Sequence, residues 1–350
     1  MKHLKLLSTL AAGLMALSAT SSTINENKTP VHRPLIEEYT GTWCGWCVRG
    51  LVGMELLSQQ FGDDFIGVAY HNSDAMEIMS SSSYPSRVNG FPTAFIERTS
   101  EVDPYYGFGN TAGGIIDAMN QFAALEVIAG IDVTAQWTSA DKTDITVDVT
   151  SYFTTDNKNA TYAIEVMLVA DDLYGSGSSW NQANYYSGYN YFTNDPNLRE
   201  WVYKGEYVSD YHFNDVLVGT SGVINNSLPS SIAAYDDYGY SYTFTLSQLN
   251  NPALIQNKDN LRVIAIVVDT KTKKVINANR TNISDFINVM PGDVNNNNTV
   301  NIEDVTALID YLLSGDDSMV NIANADVDSN GNISIADVTT LIDLLLSGNI

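Results

Sequence analysis

Trp43-Cys44-Gly45-Trp46-Cys47 holds both cysteines of the 350-residue chain. They lie directly behind a short run, Leu35-Ile36-Glu37-Glu38-Tyr39, that reads as a strand. Two thiols at this spacing point to redox chemistry. A disulfide between them closes so short a loop that it restrains the unfolded chain very little, so stability alone is a poor reason for the pair. Downstream, the segment from Cys47 to Phe61 carries Val48, Leu51, Met54, Leu57 and Phe61 at helical spacing. Phe65 to Tyr70 is a second apolar strand, and Asp74 to Val88 a Ser-rich helical stretch. Phe91-Pro92-Thr93-Ala94-Phe95-Ile96 opens on a proline and continues as a strand, and Thr111 to Ala124 is a helix with Thr111 as its cap. This alternation over residues 30–126 predicts a sheet with helices on its faces.

The segment resembles the thioredoxin superfamily at three separated places. Trp43-Cys44-Gly45-Trp46-Cys47 is similar to the motif at the strand-to-helix junction, and Gly90-Phe91-Pro92-Thr93 to the loop whose cis-proline faces the dithiol. Glu38, six residues before Cys44, falls where a buried acid is kept. The resemblance implies that Cys44, at a helix N-terminus, is the attacking thiolate, its pKa lowered by the helix dipole and free N–H groups. Cys47 would resolve the mixed disulfide. Glu38 would take up the Cys47 proton, and Pro92 would present backbone to an extended substrate. Trp46 stands where thioredoxins have proline, and Glu38 replaces the commoner aspartate. Two plainer readings stand beside this one: a pair that stays oxidised, and Glu38 as a surface carboxylate on an edge strand. The wider sequence also looks like the outer-membrane-protein-28-related proteins of Bacteroidetes, which join such a domain to a β-rich one.

Hydrophobic residues at 44% and charged ones at 17% indicate a globular chain. A formal net charge of -24 with 17 Lys and Arg argues against a nucleic-acid partner, which needs clustered cations to neutralise phosphate. Lys2, His3 and Lys5, the apolar run Leu6 to Leu17 and the small polar residues that follow have the layout of a secretory signal over residues 1–22. The expected location is outside the cytoplasm: periplasmic, outer-membrane-associated or extracellular. Disulfides persist there.

Over residues 127–285 the period changes to two. Ile131 to Trp137, Ile145 to Phe153, Tyr162 to Val169, Tyr240 to Leu246, Leu261 to Val268 and Val275 to Asn279 are strand-like runs, which predicts an antiparallel β-sandwich, possibly immunoglobulin-like in topology. A long insertion, 172–239, interleaves aromatics such as Tyr174, Trp180, Tyr185 and Tyr191 with Gly, Ser and Asn. Such rings can stack on sugars or clamp an extended peptide; packing back onto the sandwich is the plainer expectation. His71 and His212 read as structural groups.

The tail, 291–350, repeats itself. Asp293, Asn295, Asn297, Thr299, Asn301 and Asp304 are matched 33 residues later by Asp326, Asp328, Asn330, Asn332, Ser334 and Asp337. Each set occupies positions 1, 3, 5, 7, 9 and 12 of a twelve-residue loop, the oxygen pattern of a hard cation with six to eight ligands. A helix stripe follows each loop: Val305, Leu308, Ile309 and Leu312, then Val338, Leu341, Ile342 and Leu345. Asn298 and Gly331 stand at the sharp turns. The tail closely resembles a type I dockerin, a small EF-hand-like helical domain. That implies two Ca2+ sites, the first weaker because Asn295 and Asn297 replace acids, and a cohesin-like scaffold as partner. Ile302-Glu303 and Ile335-Ala336 occupy the positions that help choose the cohesin.

The chain is thus expected to be a multidomain protein: α/β thioredoxin-like, then β-sandwich, then dockerin-like. Its expected function is thiol-disulfide exchange on a protein disulfide or dithiol substrate through Cys44 and Cys47, with no organic cofactor. The rival is a non-catalytic surface binding or assembly protein tied to polysaccharide degradation, in which the dithiol is structural or vestigial and the sandwich with its aromatic insertion binds a glycan or a peptide.

Overall fold

The structure, a computed structural model, describes residues 28–286, 289–318 and 320–348. The expected signal segment, 1–22, lies outside the described residues. The first strand, β1 (Leu35–Thr40), leads through the cysteine motif into α1 (Val48–Phe61). β2 (Ile66–His71), β3 (Thr93–Ile96), β4 (Ser100–Val102) and α2 (Gly114–Ala123) complete the first segment. β1 pairs with β2 in parallel, from Leu35 opposite Ile66 to Thr40 opposite His71, and with β3 antiparallel. Every residue of β1 is buried, as a strand covered on both faces must be. Leu35, Tyr39, Ile66 and Val68 join one core cluster, and Ile36 joins another with Met54, Leu57, Ala118 and Met119 of the helices. The period of two therefore points Glu38 to the helix side with Ile36, and Glu37 to the opposite side with Tyr39.

The remainder of the large unit comprises β5 (Ala129–Trp137), β6 (Asp144–Phe153), β7 (Tyr162–Ala170), β8 (Gln182–Ala183), α3 (Arg199–Tyr203) and β9 (Tyr207–Val208). It continues with β10 (Val216–Ile224), β11 (Tyr238–Thr245), β12 (Leu261–Asp269) and β13 (Val275–Ser284). Among the described residues eleven strands form one mixed sheet, in the order β11-β6-β5-β13-β12-β7-β10-β2-β1-β3-β4; β8 and β9 pair separately. The strands expected as a sandwich are thus contiguous in hydrogen-bond order with the first four. The join is β10, where Val216 sits opposite Ala69 and the Ala69 amide donates to the Asp215 carbonyl at 2.8 Å. A buried polar bridge spans the same region: Arg98 contacts Glu37 at 2.9 Å and Glu165 of β7 at 2.6 Å, and the Tyr70 hydroxyl donates to Glu37 at 2.9 Å.

Three local expectations are corrected. The insertion 172–239 is not a loop throughout, because it contains β10, a central strand. No helix forms between Asp74 and Val88, where there is only a single 3-10 turn at Ser81–Ser83. Ser and Asp side chains there compete for local hydrogen bonds, as Asp74 does in accepting from the Met76 amide at 2.9 Å. α2 is entered through Gly113 in the left-handed conformation (φ 71), not through a Thr111 cap.

The chain divides into two compact units: residues up to Ala135 with Val147–Asn282, and Gln136–Thr146 with the residues from Ile283 onward. In the second, α4 (Ile302–Ser314), α5 (Ile322–Ala325) and α6 (Ile335–Ser347) pack around Val305, Leu308, Val338 and Leu341. No helix among the described residues is long and apolar enough to cross a membrane.

Candidate functional sites

The motif Trp43–Cys47 turns at the C-terminal end of β1, where Gly41 leaves room for the Trp43 indole and the Asn72 carbonyl. Cys44 and Cys47 are disulfide-bonded, with Cα atoms 5.3 Å apart. Cys44 caps a 3-10 turn, Gly45–Cys47, that runs straight into α1. Phe91–Pro92 is a cis peptide, and because Thr93 stands opposite Tyr39, Pro92 lies at the sheet end from which the motif emerges. The Trp43 ring meets Phe91 edge-on at 5.6 Å, which brings the two loops together.

Glu38 is fully buried, which excludes the reading of it as a surface carboxylate. Its carboxyl lies against α1 at Gly50, where a Cβ would stand 1.7 Å from Oε1. Neither carboxylate oxygen has a hydrogen-bond partner among the described residues. The Thr40 hydroxyl favours the charged form. Burial dominates and pushes the carboxyl up to about 8, with repulsion from Asp215 and Asp103 adding to it. A buried carboxyl with a raised pKa thus sits against the helix whose N-cap is Cys47.

The other side of the motif is covered by residues 179–189, which no local signal in the sequence marks as part of the site. The Ala183 amide donates to the Thr42 carbonyl at 2.7 Å and the Tyr185 amide to the Gly45 carbonyl at 3.2 Å. The Gln182 side-chain amide donates to the Cys44 carbonyl at 3.0 Å. Trp46, the departure from the thioredoxin pattern, meets Tyr185 and Tyr186 edge-on at 5.6 and 5.4 Å. Cys44 retains 6% exposure and Cys47 none. His71 is buried against Asp74 at 2.7 Å, and the same carboxylate accepts from the Thr42 amide at 2.9 Å. His212 contacts Asp172 and stacks on Tyr174. Both histidines take part in the structural contacts expected of them.

In the second unit the two loops are built alike. In the first, the Asp293 carboxylate accepts from the Asn297 and Asn298 amides, both at 2.9 Å, while Asp304 accepts from Asn295 and Asn301. In the second, Asp326 accepts from Asn330 and Gly331, and Asp337 from Asp328 and Ser334. Asn301 and Ser334 act as helix caps, each completing a capping box with the aspartate three residues on. The Thr299 amide donates to Asn297 Oδ1 and the Asn332 amide to Asn330 Oδ1, both at 2.9 Å. Ligand oxygens of Asp326, Asp328 and Asp337 all lie within 4.8 Å of one another, a set of hard donors that suits a divalent cation such as Ca2+. The first loop has two acids at the matching positions. Ile302 and Ile335 are each 69% exposed, and Leu313 and Leu346, also 33 residues apart, are 82% and 81% exposed. The leucine pair escaped the sequence reading, although the repeat could have revealed it.

Residues 291–346 match the dockerin type I domain family. No curated protein sequence matches the chain. HBP35 of Porphyromonas gingivalis is similar in fold, at 14% identity over 75% of this chain and 80% of that one, with a TM-score of 0.50. AGR_C_4864 from Agrobacterium tumefaciens shares 11% identity over 72% of this chain and 95% of that one, with a TM-score of 0.39. A domain of the outer membrane lipoprotein Omp28 from P. gingivalis shares 17% identity over 46% of this chain and 92% of that one, with a TM-score of 0.24.

Proposed function

We propose that this is an exported assembly protein that docks through its tail to a cohesin-like scaffold in a calcium-dependent way. The observation that carries this reading is the convergence of Asp326, Asp328 and Asp337 in one of two like-built loops that match a dockerin. Calcium would offset the mutual repulsion of a tail with ten acidic residues and no Lys or Arg, and so hold both helices in place. The paired exposed residues Ile302 and Ile335, with Leu313 and Leu346, offer a partner two equivalent apolar surfaces. Location at the cell surface or outside it agrees with such a tail.

The test is capture of the full chain on an immobilised panel of type I cohesin modules. Binding to at least one module in calcium, release by chelator, and loss in the Ile302→Asp/Ile335→Asp double variant are the expected results. No capture by any module, or capture indifferent to chelator, defeats the proposal.

A second reading, thiol-disulfide exchange by a thioredoxin-like domain, is favoured by the buried Glu38 beneath α1, whose pKa burial raises, and by the cis-Pro92 loop beside the motif. In it Cys44 attacks, Cys47 resolves, and Glu38 takes up or releases the Cys47 proton. Insulin reduction by wild type but not by Cys44→Ala supports it; equal rates set it aside.

A further inference from the structure

The Thr42, Cys44 and Gly45 carbonyls all accept from residues of one strap, 182–185. Gly45 has no side chain at the point of closest approach, where a Cβ would stand 2.3 Å from the Tyr185 ring. At the strap's leading end the Thr42 hydroxyl donates to the Ser179 carbonyl at 3.1 Å. From behind, β8 pairs with β9, and the Asn184 amide bonds the Trp201 and Gly205 carbonyls at 2.8 and 3.0 Å. The strap is therefore gripped by the motif on one side and braced on the other. Its contacts to the motif are a few neutral hydrogen bonds, the exposed Tyr185 ring and the buried Tyr186 ring against Trp46, and a segment held to its neighbour by so few polar contacts opens locally without global unfolding.

We infer that residues 179–186 are a displaceable cover on the Cys44–Cys47 disulfide, and that opening of this cover, with Gln182 and Tyr185 as its latch, sets the rate at which any thiol reaches Cys44. In the open state a thiolate of an external dithiol attacks Sγ of Cys44. The S–S bond breaks, and Cys47 leaves as a thiolate that takes up a proton. The second thiol of the reductant then attacks the mixed disulfide, releasing Cys44 as a thiolate, and the reductant departs as its own disulfide. Gln182 and Tyr185 are positioning residues in this scheme. The inference applies whether the disulfide exchanges with a substrate or remains oxidised in a docking protein.

The experiment measures reduction of the oxidised full-length protein by dithiothreitol, with the released thiols counted by alkylation and mass. Tyr185→Ser removes an exposed ring while keeping its backbone bond to Gly45; it is expected to speed reduction about fivefold, the factor that one aromatic ring contact is worth. Gln182→Ala, at a buried position, should act in the same direction and more strongly. Gln256→Ala, which removes bonds to Tyr174 elsewhere in the insertion, should leave the rate unchanged. Reduction of Tyr185→Ser at the wild-type rate, or an equal gain in Gln256→Ala, overturns the latch. Dithiothreitol reports access alone, so failure here leaves the docking proposal standing, and failure of cohesin capture leaves the latch standing.

Discussion

Replacing Glu38 by glutamine isolates the energetics of the acid beneath the motif. The folded carboxyl titrates near 8 and the ordinary one near 4.5, with burial as the main cause. The native state therefore holds a proton that the unfolded chain releases once the pH passes about 4.5. Stability from this group is complete below that pH, falls as pH rises, and levels off beyond about 8. Between pH 5 and pH 8 the loss amounts to about 3 to 4 kcal/mol, at about 1.4 kcal/mol per pKa unit, as an upper bound. Glu38→Gln keeps the shape and has nothing to titrate, so its stability should lack that slope. Urea unfolding followed by tryptophan fluorescence reads the comparison, since all five tryptophans lie between residues 43 and 201 and the tail is silent. The pH 5 arm stays above the isoelectric point of about 4.2. Groups that do not interact with Glu38 cancel in the difference between the two proteins, whereas Asp215, which burial also raises, to about 6, repels the Glu38 carboxylate and contributes to the slope that the difference reads. The wild type should lose stability relative to Glu38→Gln as the pH rises. Parallel curves for the two proteins would show that Glu38 is charged in the fold and that its assignment as a proton store is wrong.

Three further outcomes are expected. Arg98→Met leaves Glu37 and Glu165 as uncompensated buried charges and should cost about 3 to 5 kcal/mol in chemical unfolding, whereas replacing all three residues by apolar ones should recover most of the loss. Gly50→Ala forces a methyl against the Glu38 carboxyl and should cost about 1 to 3 kcal/mol; in a double-mutant cycle with Glu38→Ala the two changes should couple, and simple additivity would refute the contact. Asn298, held at φ 64, should give way to glycine with about two- to fivefold tighter calcium binding at the first loop, while Gly331→Ala, at φ 84, should weaken the second; calorimetry on the full chain separates the two.

The legible parts of this protein are those whose signals are local. Cys44 and Cys47, the Phe91-Pro92 loop and the twin acidic loops were each visible in a few consecutive residues, and the strands Ile145 to Phe153 and Leu261 to Val268 in plain alternation. β10 escaped because its period is broken by Gly219, Ser221 and Gly222, and the structure places bulges at Leu217/Gly219 and Thr220/Val223. Gly219 is small because the Leu249 side chain occupies the space its Cβ would need. The false helix at Asp74 to Val88 is held as irregular chain from a distance, by Asn250 and Asn251 bonding the Ile78 and Ala75 carbonyls. The cover over the disulfide rests on contacts between residues about 140 apart, and a single sequence carries no trace of such pairings. Trp46 becomes intelligible only with Tyr185 and Tyr186 beside it.

The parallel join between β2 and β10 has a practical consequence for dissecting the chain. Residue 126 looks like a domain boundary, yet a fragment ending there loses the strand that covers β2. The Ala69 amide, which donates to the Asp215 carbonyl, would then lie on a bare edge of β2, a template for intermolecular pairing. Excised 30–126 should therefore self-associate even if its helices form. Soluble fragments should come from cuts that keep β10 with β2, which makes the middle of the sequence part of the first domain's solubility.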